Sequence, residues 1–145
     1  MPRRQILTRA MGAEVRPAPR REIGFLPVKA TAAGMDDPVL APFAPEAKVF
    51  QFHEDACELP EGAELLMEGE DVPVQAFRVG ETAYAVQFHF EVTPEIITAW
   101  CEEVPDLEQS WGRSKEAVLA EAKTHLGAQQ AAGREAADAF LKLLG

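Results

Sequence analysis

Cysteine is scarce in this sequence, with two residues, Cys57 and Cys101, among 145. So few cysteines exclude a disulfide framework, and no long apolar stretch follows the charged start as a secretory leader would. A reducing, cytoplasmic location is expected. Histidine is nearly as rare, with three residues in no cluster of zinc-type spacing, so neither a metal nor another cofactor is expected. Basic residues number 14 against 24 acidic ones, and the net charge of −10 argues against nonspecific nucleic-acid binding. No apolar run approaches the roughly 20 residues of a membrane span, so no membrane partner is expected. What remains is a single domain able to bury about two-thirds of its unfolded surface.

The charge is uneven. Residues 1–30 hold seven basic against two acidic side chains, residues 31–101 two against fourteen, and residues 102–145 five against eight. The basic start reads either as a phosphate-facing edge or as a solvated face.

Apolar patterning alternates between short runs and helical stripes. Residues 4–12 read as a helix ended by Gly12. Strands are expected at Glu14–Pro17, Glu22–Lys29, Lys48–His53, Ala63–Glu68, Val74–Val79 and Ala83–His89, with a Pro- and Gly-rich connection from Ala32 to Pro45. Thr93, Pro94 and Glu95 supply an N-cap, an N1 proline and an early acid for a helix to about Glu103. In the tail, Val118, Ala122 and Leu126 form one stripe and Ala136, Phe140 and Leu144 a second, with a break expected at Gly127. The tail either completes the core or offers a partner surface.

The segment Thr82-Ala-Tyr-Ala-Val-Gln-Phe-His-Phe-Glu-Val-Thr-Pro-Glu carries the most chemistry. In extended chain, residues two apart share a side, so His89 and Glu91 can meet just beyond a strand's end, where open α/β sheets place ligands. A carboxylate beside an imidazole fixes its tautomer and stabilises its charged form. Such a pair is also a common surface cap worth under about 1 kcal/mol.

The surrounding residues extend the signal. The run from Tyr84 to Glu95 resembles the Gln-Phe-His-Pro-Glu signature of class I glutamine amidotransferases. Gly12-Ala-Glu-Val-Arg-Pro-Ala-Pro-Arg-Arg-Glu-Ile-Gly-Phe-Leu-Pro-Val, Phe50-Gln-Phe-His-Glu-Asp with the turn at Leu59-Pro60, and Gln75-Ala-Phe-Arg-Val-Gly are similar to further blocks of that family. Within the family the chain resembles the stand-alone proteins similar to the amidotransferase domain of GMP synthase. The resemblance implies a three-layer, flavodoxin-like, doubly wound α/β fold. Residues 1–105 would form the C-terminal part of the domain, N-terminally truncated, and residues 106–145 a helical tail packed on it.

It also implies glutamine as substrate, hydrolysed to glutamate and ammonia through a cysteine, a histidine and a glutamate. His89 and Glu91 match the last two. Gln5-Ile-Leu-Thr-Arg-Ala-Met-Gly-Ala-Glu-Val is similar to the helix after the nucleophile, which puts the cysteine position at or near Met1 and the elbow glycines at Pro2, Arg3 and Arg4. This chain has no cysteine there, and Cys57 and Cys101 lack flanking elbow glycines, so the chain alone is expected to be inactive. His53 and Asp55 would lie near the glutamine pocket, or form a hydrogen-bonded turn at a strand end. His125 reads as an interfacial or surface histidine. Two residues depart from the family pattern: Phe90 stands where proline is usual, and Glu54 where glycine is usual. An ammonia-accepting synthetase is the implied partner, and self-association is expected of a sheet with an unpaired edge. A non-catalytic module on the same scaffold and a related γ-glutamyl hydrolase are the alternatives.

Overall fold

Short connections dominate the chain, and they dictate the sheet. In the computed structural model, which describes residues 3–145, five strands form one sheet: β1 (Val15–Ala30), β2 (Glu46–Cys57), β3 (Glu64–Glu68), β4 (Val74–Val79) and β5 (Ala83–Val86). Their spatial order is β2-β1-β3-β4-β5, and every pair is antiparallel. The described strands thus form one antiparallel sheet. Parallel neighbours need crossovers of a dozen or more residues, whereas β4 and β5 are joined through Gly80, Glu81 and Thr82, with Gly80 at φ +61° as such a hairpin needs. The α/β class and the helical C-terminal extension are as expected.

Three expectations change in detail. Glu14–Pro17 and Glu22–Lys29 belong to one long strand, because both parts pair with β2. The ladder is interrupted where residues 18–21 of β1 face Glu54 alone. Ala83–His89 is shorter as a strand, since the ladder to β4 ends at Val86. Beyond it, Gln87 N–H still donates to Gln75 O at 2.8 Å, and His89 N–H then donates to Phe50 O on β2 at 2.8 Å. β2 and the continuation of β5 lie at opposite ends of the strand order, so this bond shows that the sheet curls until its two edges approach.

The third change is at Gly127, where no break occurs. One helix runs through it, and glycine's cost of about 1 kcal/mol is outweighed by the buried stripe on either side. The helices are α1 (Arg3–Ala10), α2 (Ala32–Asp36), α3 (Pro94–Glu103), α4 (Leu107–Trp111) and α5 (Lys115–Leu143), with a 3-10 turn at Ala41–Phe43. Caps set their starts: Thr31, Thr93 and Ser114 accept from the N–H groups of Gly34, Ile96 and Ala117.

Two apolar clusters form the core. Ile23, Phe25 and Phe50 join Ile97, Cys101, Val118, Ala122 and Leu126 in one. Val28, Val49, Leu66, Met67, Phe43, Phe88 and Ala136 make the other. Adjacent Val49 and Phe50 belong to different clusters because neighbours on a strand point to opposite faces. Helix α5 contributes to both, so it passes over the β2 edge between them.

Candidate functional site

The curl of the sheet assembles the site. It brings β2 residues 52–55 and the 87–91 segment into one cleft of about 770 Å³, which Gln5 of α1 and Trp111 of α4 also line. His89 Nδ1 lies 2.8 Å from Glu91 Oε1. A carboxylate can only accept, so Nδ1 carries the proton and the lone pair is left on Nε2. Burial works against the charge on Glu91. The hydrogen bond from His89, the residue's own backbone N–H and the imidazole charge outweigh it, and the carboxyl titrates below the ordinary glutamate value. Trp100 of α3 packs against the His89 ring, with centroids 4.9 Å apart and planes at 77°. A second aromatic wall is made by Phe52 and Trp111, stacked at 5.0 Å and 2°. The Arg21 guanidinium sits 5.4 Å from the Trp111 ring centroid.

His53 lies in the same cleft and is engaged from beneath. Glu22 is its cross-strand partner on β1, and the two side chains form a buried pair at 2.8 Å through Nε2. Gln51 Oε1 approaches the same nitrogen at 3.0 Å, so two acceptors hold one N–H. Gln51 in turn donates to Gln75 at 2.8 Å, making a polar chain inside the curl. Asp55 accepts from Gln5 Nε2 at 2.9 Å, and Gln87 Nε2 donates to the Asp55 carbonyl at 3.1 Å. These bonds tie α1 and the His89 segment to the end of β2. Glu54 lies within β2, and among the described residues Asp106 is the one non-glycine with positive φ. The glycine usual at position 54 is therefore not needed for this backbone.

Neither cysteine lines the cleft. Both are buried, and burial raises the Cys101 thiol above its ordinary pKa, the wrong direction for a nucleophile. The expected cysteine position at Met1 lies outside the described residues, as does Pro2. Arg3 and Arg4 begin α1. His125 is away from the cleft, its ring 5.9 Å from that of Phe25. Among the described residues no group of three or more His, Cys, Asp or Glu could hold a metal ion, and no helix is long and apolar enough to cross a membrane.

Sequence reasoning missed Glu22, Trp100, Trp111 and Gln129. Glu22 reaches His53 only through strand register. Gln129 lies on the apolar stripe of α5 at 2% exposure, a buried polar residue that periodicity alone reads as an interruption.

Residues 4–99 match the family described as glutamine amidotransferase class-I. The chain is 36% identical over 93 residues to the glutamine amidotransferase-like protein YfeJ of Salmonella typhimurium, covering 64% of this chain and 39% of that protein. It is 38% identical over 90 residues to a glutamine-hydrolyzing GMP synthase of Porphyromonas gingivalis, covering 61% of this chain and 17% of the synthase. The chain thus spans less than half the length of these curated relatives. In fold it is similar to a glutamine amidotransferase of Thermotoga maritima, with a TM-score of 0.84 at 24% identity, over 96% of this chain and 59% of the other.

Proposed function

This chain belongs to the class I glutamine amidotransferase family, and from that membership we propose that it carries the acid–base half of a glutamine-hydrolysing site. The supporting observation is the His89–Glu91 pair, 2.8 Å apart beside the cleft. In the proposed reaction His89 takes the proton of a thiol on its free Nε2, and the resulting thiolate attacks the carboxamide carbon of glutamine. His89 gives a proton to the leaving nitrogen, and ammonia departs from a glutamyl thioester. His89 then takes a proton from water as the water attacks the thioester, which releases glutamate and the thiol. Glu91 holds the ring in the tautomer with Nε2 free and stabilises its charged form. The thiol comes from polypeptide outside residues 3–145, since neither Cys57 nor Cys101 reaches the cleft. The ammonia acceptor is a synthetase-type partner or domain.

A second reading is a non-catalytic module on the same scaffold, which the burial of both cysteines favours. Ammonia release from glutamine separates the two. It is measured for the 145-residue chain alone and for the chain joined behind the nucleophile-bearing part of a class I relative. We expect no release by the chain alone and turnover in the joined protein. His89→Ala should abolish that turnover and Glu91→Gln should reduce it strongly, because base and orienter act as a unit. Near-normal turnover with His89→Ala, or none in a well-folded joined protein, would sink the catalytic reading. Release by the chain alone, lost on Cys57→Ala or Cys101→Ala, would mean that the nucleophile is internal.

A further inference from the structure

We propose that Gln129 of α5 is a positioning residue for His89, holding the peptide from which the imidazole projects into the cleft. The inference rests on the reading of His89 as the acid–base residue. Its basis is a closed set of bonds. Gln129 Oε1 accepts from Phe50 N–H of β2, and Gln129 Nε2 donates to the His89 carbonyl at 3.0 Å. His89 N–H donates directly to Phe50 O at 2.8 Å. Both backbone groups of His89 are thereby fixed, one by the strand and one by the helix. The amide has one workable orientation, because Phe50 N–H can only donate and the His89 carbonyl can only accept.

The position of Gln129 on its helix supports a dedicated role. Val118, Ala122, Leu126, Gly133 and Ala136 share its buried stripe, all apolar or small. Gln129 is the polar member, placed where the two edges of the curled sheet meet. The neighbouring residues hold the rest of the segment. Gln130 Nε2 donates to Val92 O at 3.3 Å. A Cβ on Gly133 would lie 3.0 Å from Phe90 Cδ2 and 3.2 Å from Phe90 O, so the helix backbone lies directly against Phe90. Phe90 lacks the fixed φ of a proline, and the contact of its ring and carbonyl with the α5 backbone at Gly133 helps hold the turn between His89 and Glu91.

The test uses the 145-residue chain and nitrogen-detected NMR of the imidazole, with carbon NMR of the Glu91 carboxyl. In the native chain His89 is expected as the Nδ1–H tautomer, with Glu91 titrating below its ordinary value. In Gln129→Ala the Nδ1–H preference should be lost and the Glu91 titration should return toward the ordinary range. Gln129→Glu keeps an acceptor for Phe50 N–H but loses the donor to His89, and should give the same two changes with the β2 contact kept. Ser114→Ala, a helix-cap variant far along α5, should lower the melting temperature and leave both signals unmoved. If Gln129→Ala does not fold, Gln129→Glu is read in its place for the same signals. Folded Gln129 variants with native tautomer and native Glu91 titration would overturn the proposal and leave Gln129 a purely structural residue. These signals need no turnover, so a failure of glutamine hydrolysis in the joined protein would remove the catalytic reading without deciding this one.

Discussion

Glu22 on β1 and His53 on β2 face one another across the strand pair and meet at 2.8 Å with both side chains almost wholly buried. The four β1 residues 18–21, looped out just before Glu22, let the strand resume in a register that puts the carboxylate beneath the cleft. Without Glu22 the His53 N–H keeps Gln51 Oε1 as acceptor, so the loss is that of one buried hydrogen bond, about 1–3 kcal/mol. We expect Glu22→Ala to destabilise the chain by roughly that amount. Glu22→Gln, which keeps an acceptor for His53, should cost less. Urea unfolding of the two variants beside the native chain checks the order.

Glu91 makes a pH-dependent contribution. Its folded-state pKa lies below the ordinary value of 4.5, so the stabilisation is fully present above about that pH and is lost as pH falls through the folded value. The side chain is 60% exposed, and solvent screening holds the effect under about 1 kcal/mol. Stability measured from about pH 6 down to about pH 3 should fall less steeply in Glu91→Gln than in the native chain. Identical slopes would remove Glu91 from the ion pair.

Asp37 is the hub of the opposite end of the sheet. Its Oδ1 accepts from the N–H groups of Val39 and Leu40, both at 2.9 Å. Its Oδ2 accepts from Arg78 at 3.0 Å and from the Tyr84 hydroxyl at 3.1 Å. Burial raises the Tyr84 pKa, and the bond to Asp37 adds to that rise, so the phenol stays a donor at neutral pH. Asp37→Ala is expected to cost about 2–4 kcal/mol, measurable as a shifted urea midpoint with little change in slope.

Gly34 sits where no side chain fits. A Cβ there would lie 2.0 Å from the Leu66 carbonyl oxygen, a backbone atom that cannot step aside alone. Gly34→Ala should displace α2 from β3 and cost about 1–3 kcal/mol or more. By contrast, Gly127→Ala has open space around it and should stabilise the helix by up to about 1 kcal/mol. Thermal unfolding of the pair gives opposite signs if this is right.

Self-association is expected at the apolar groups left uncovered. Leu141 and Leu144 are 64% and 59% exposed near the end of α5, and Ile6 of α1 is 55% exposed. Leu141→Lys with Leu144→Lys should lower the sedimenting mass and leave the unfolding free energy within about 0.5 kcal/mol. A native chain that sediments as a clean monomer would remove the expectation.

Local chemistry was legible in the sequence and long-range pairing was not. Thr93-Pro94-Glu95 located the start of α3, and Val74–Val79 closed by Gly80 located β4, because caps and turns are written in adjacent residues. The spacing of His89 and Glu91 placed them within hydrogen-bond reach for the same reason. The curl of the sheet was not legible, since it depends on Phe50 meeting His89 across 39 positions of chain. His53 drew attention through its neighbours, while its partner Glu22 needed a register that only the folded strands define. Gly127 misled because its propensity cost is local and the packing that overrides it is not.

Helix α5 spans 29 residues, about 43 Å at 1.5 Å per residue, and touches both apolar clusters along the way. It therefore acts as a single spine through which each half of the core feels the other. Amide hydrogen exchange along α5 should show one slow-exchanging block from Val118 to Ala136, opening only with the whole molecule. The cleft then has no independent melting of its own: whatever loosens the far end of the spine reaches His89 as part of the same cooperative event.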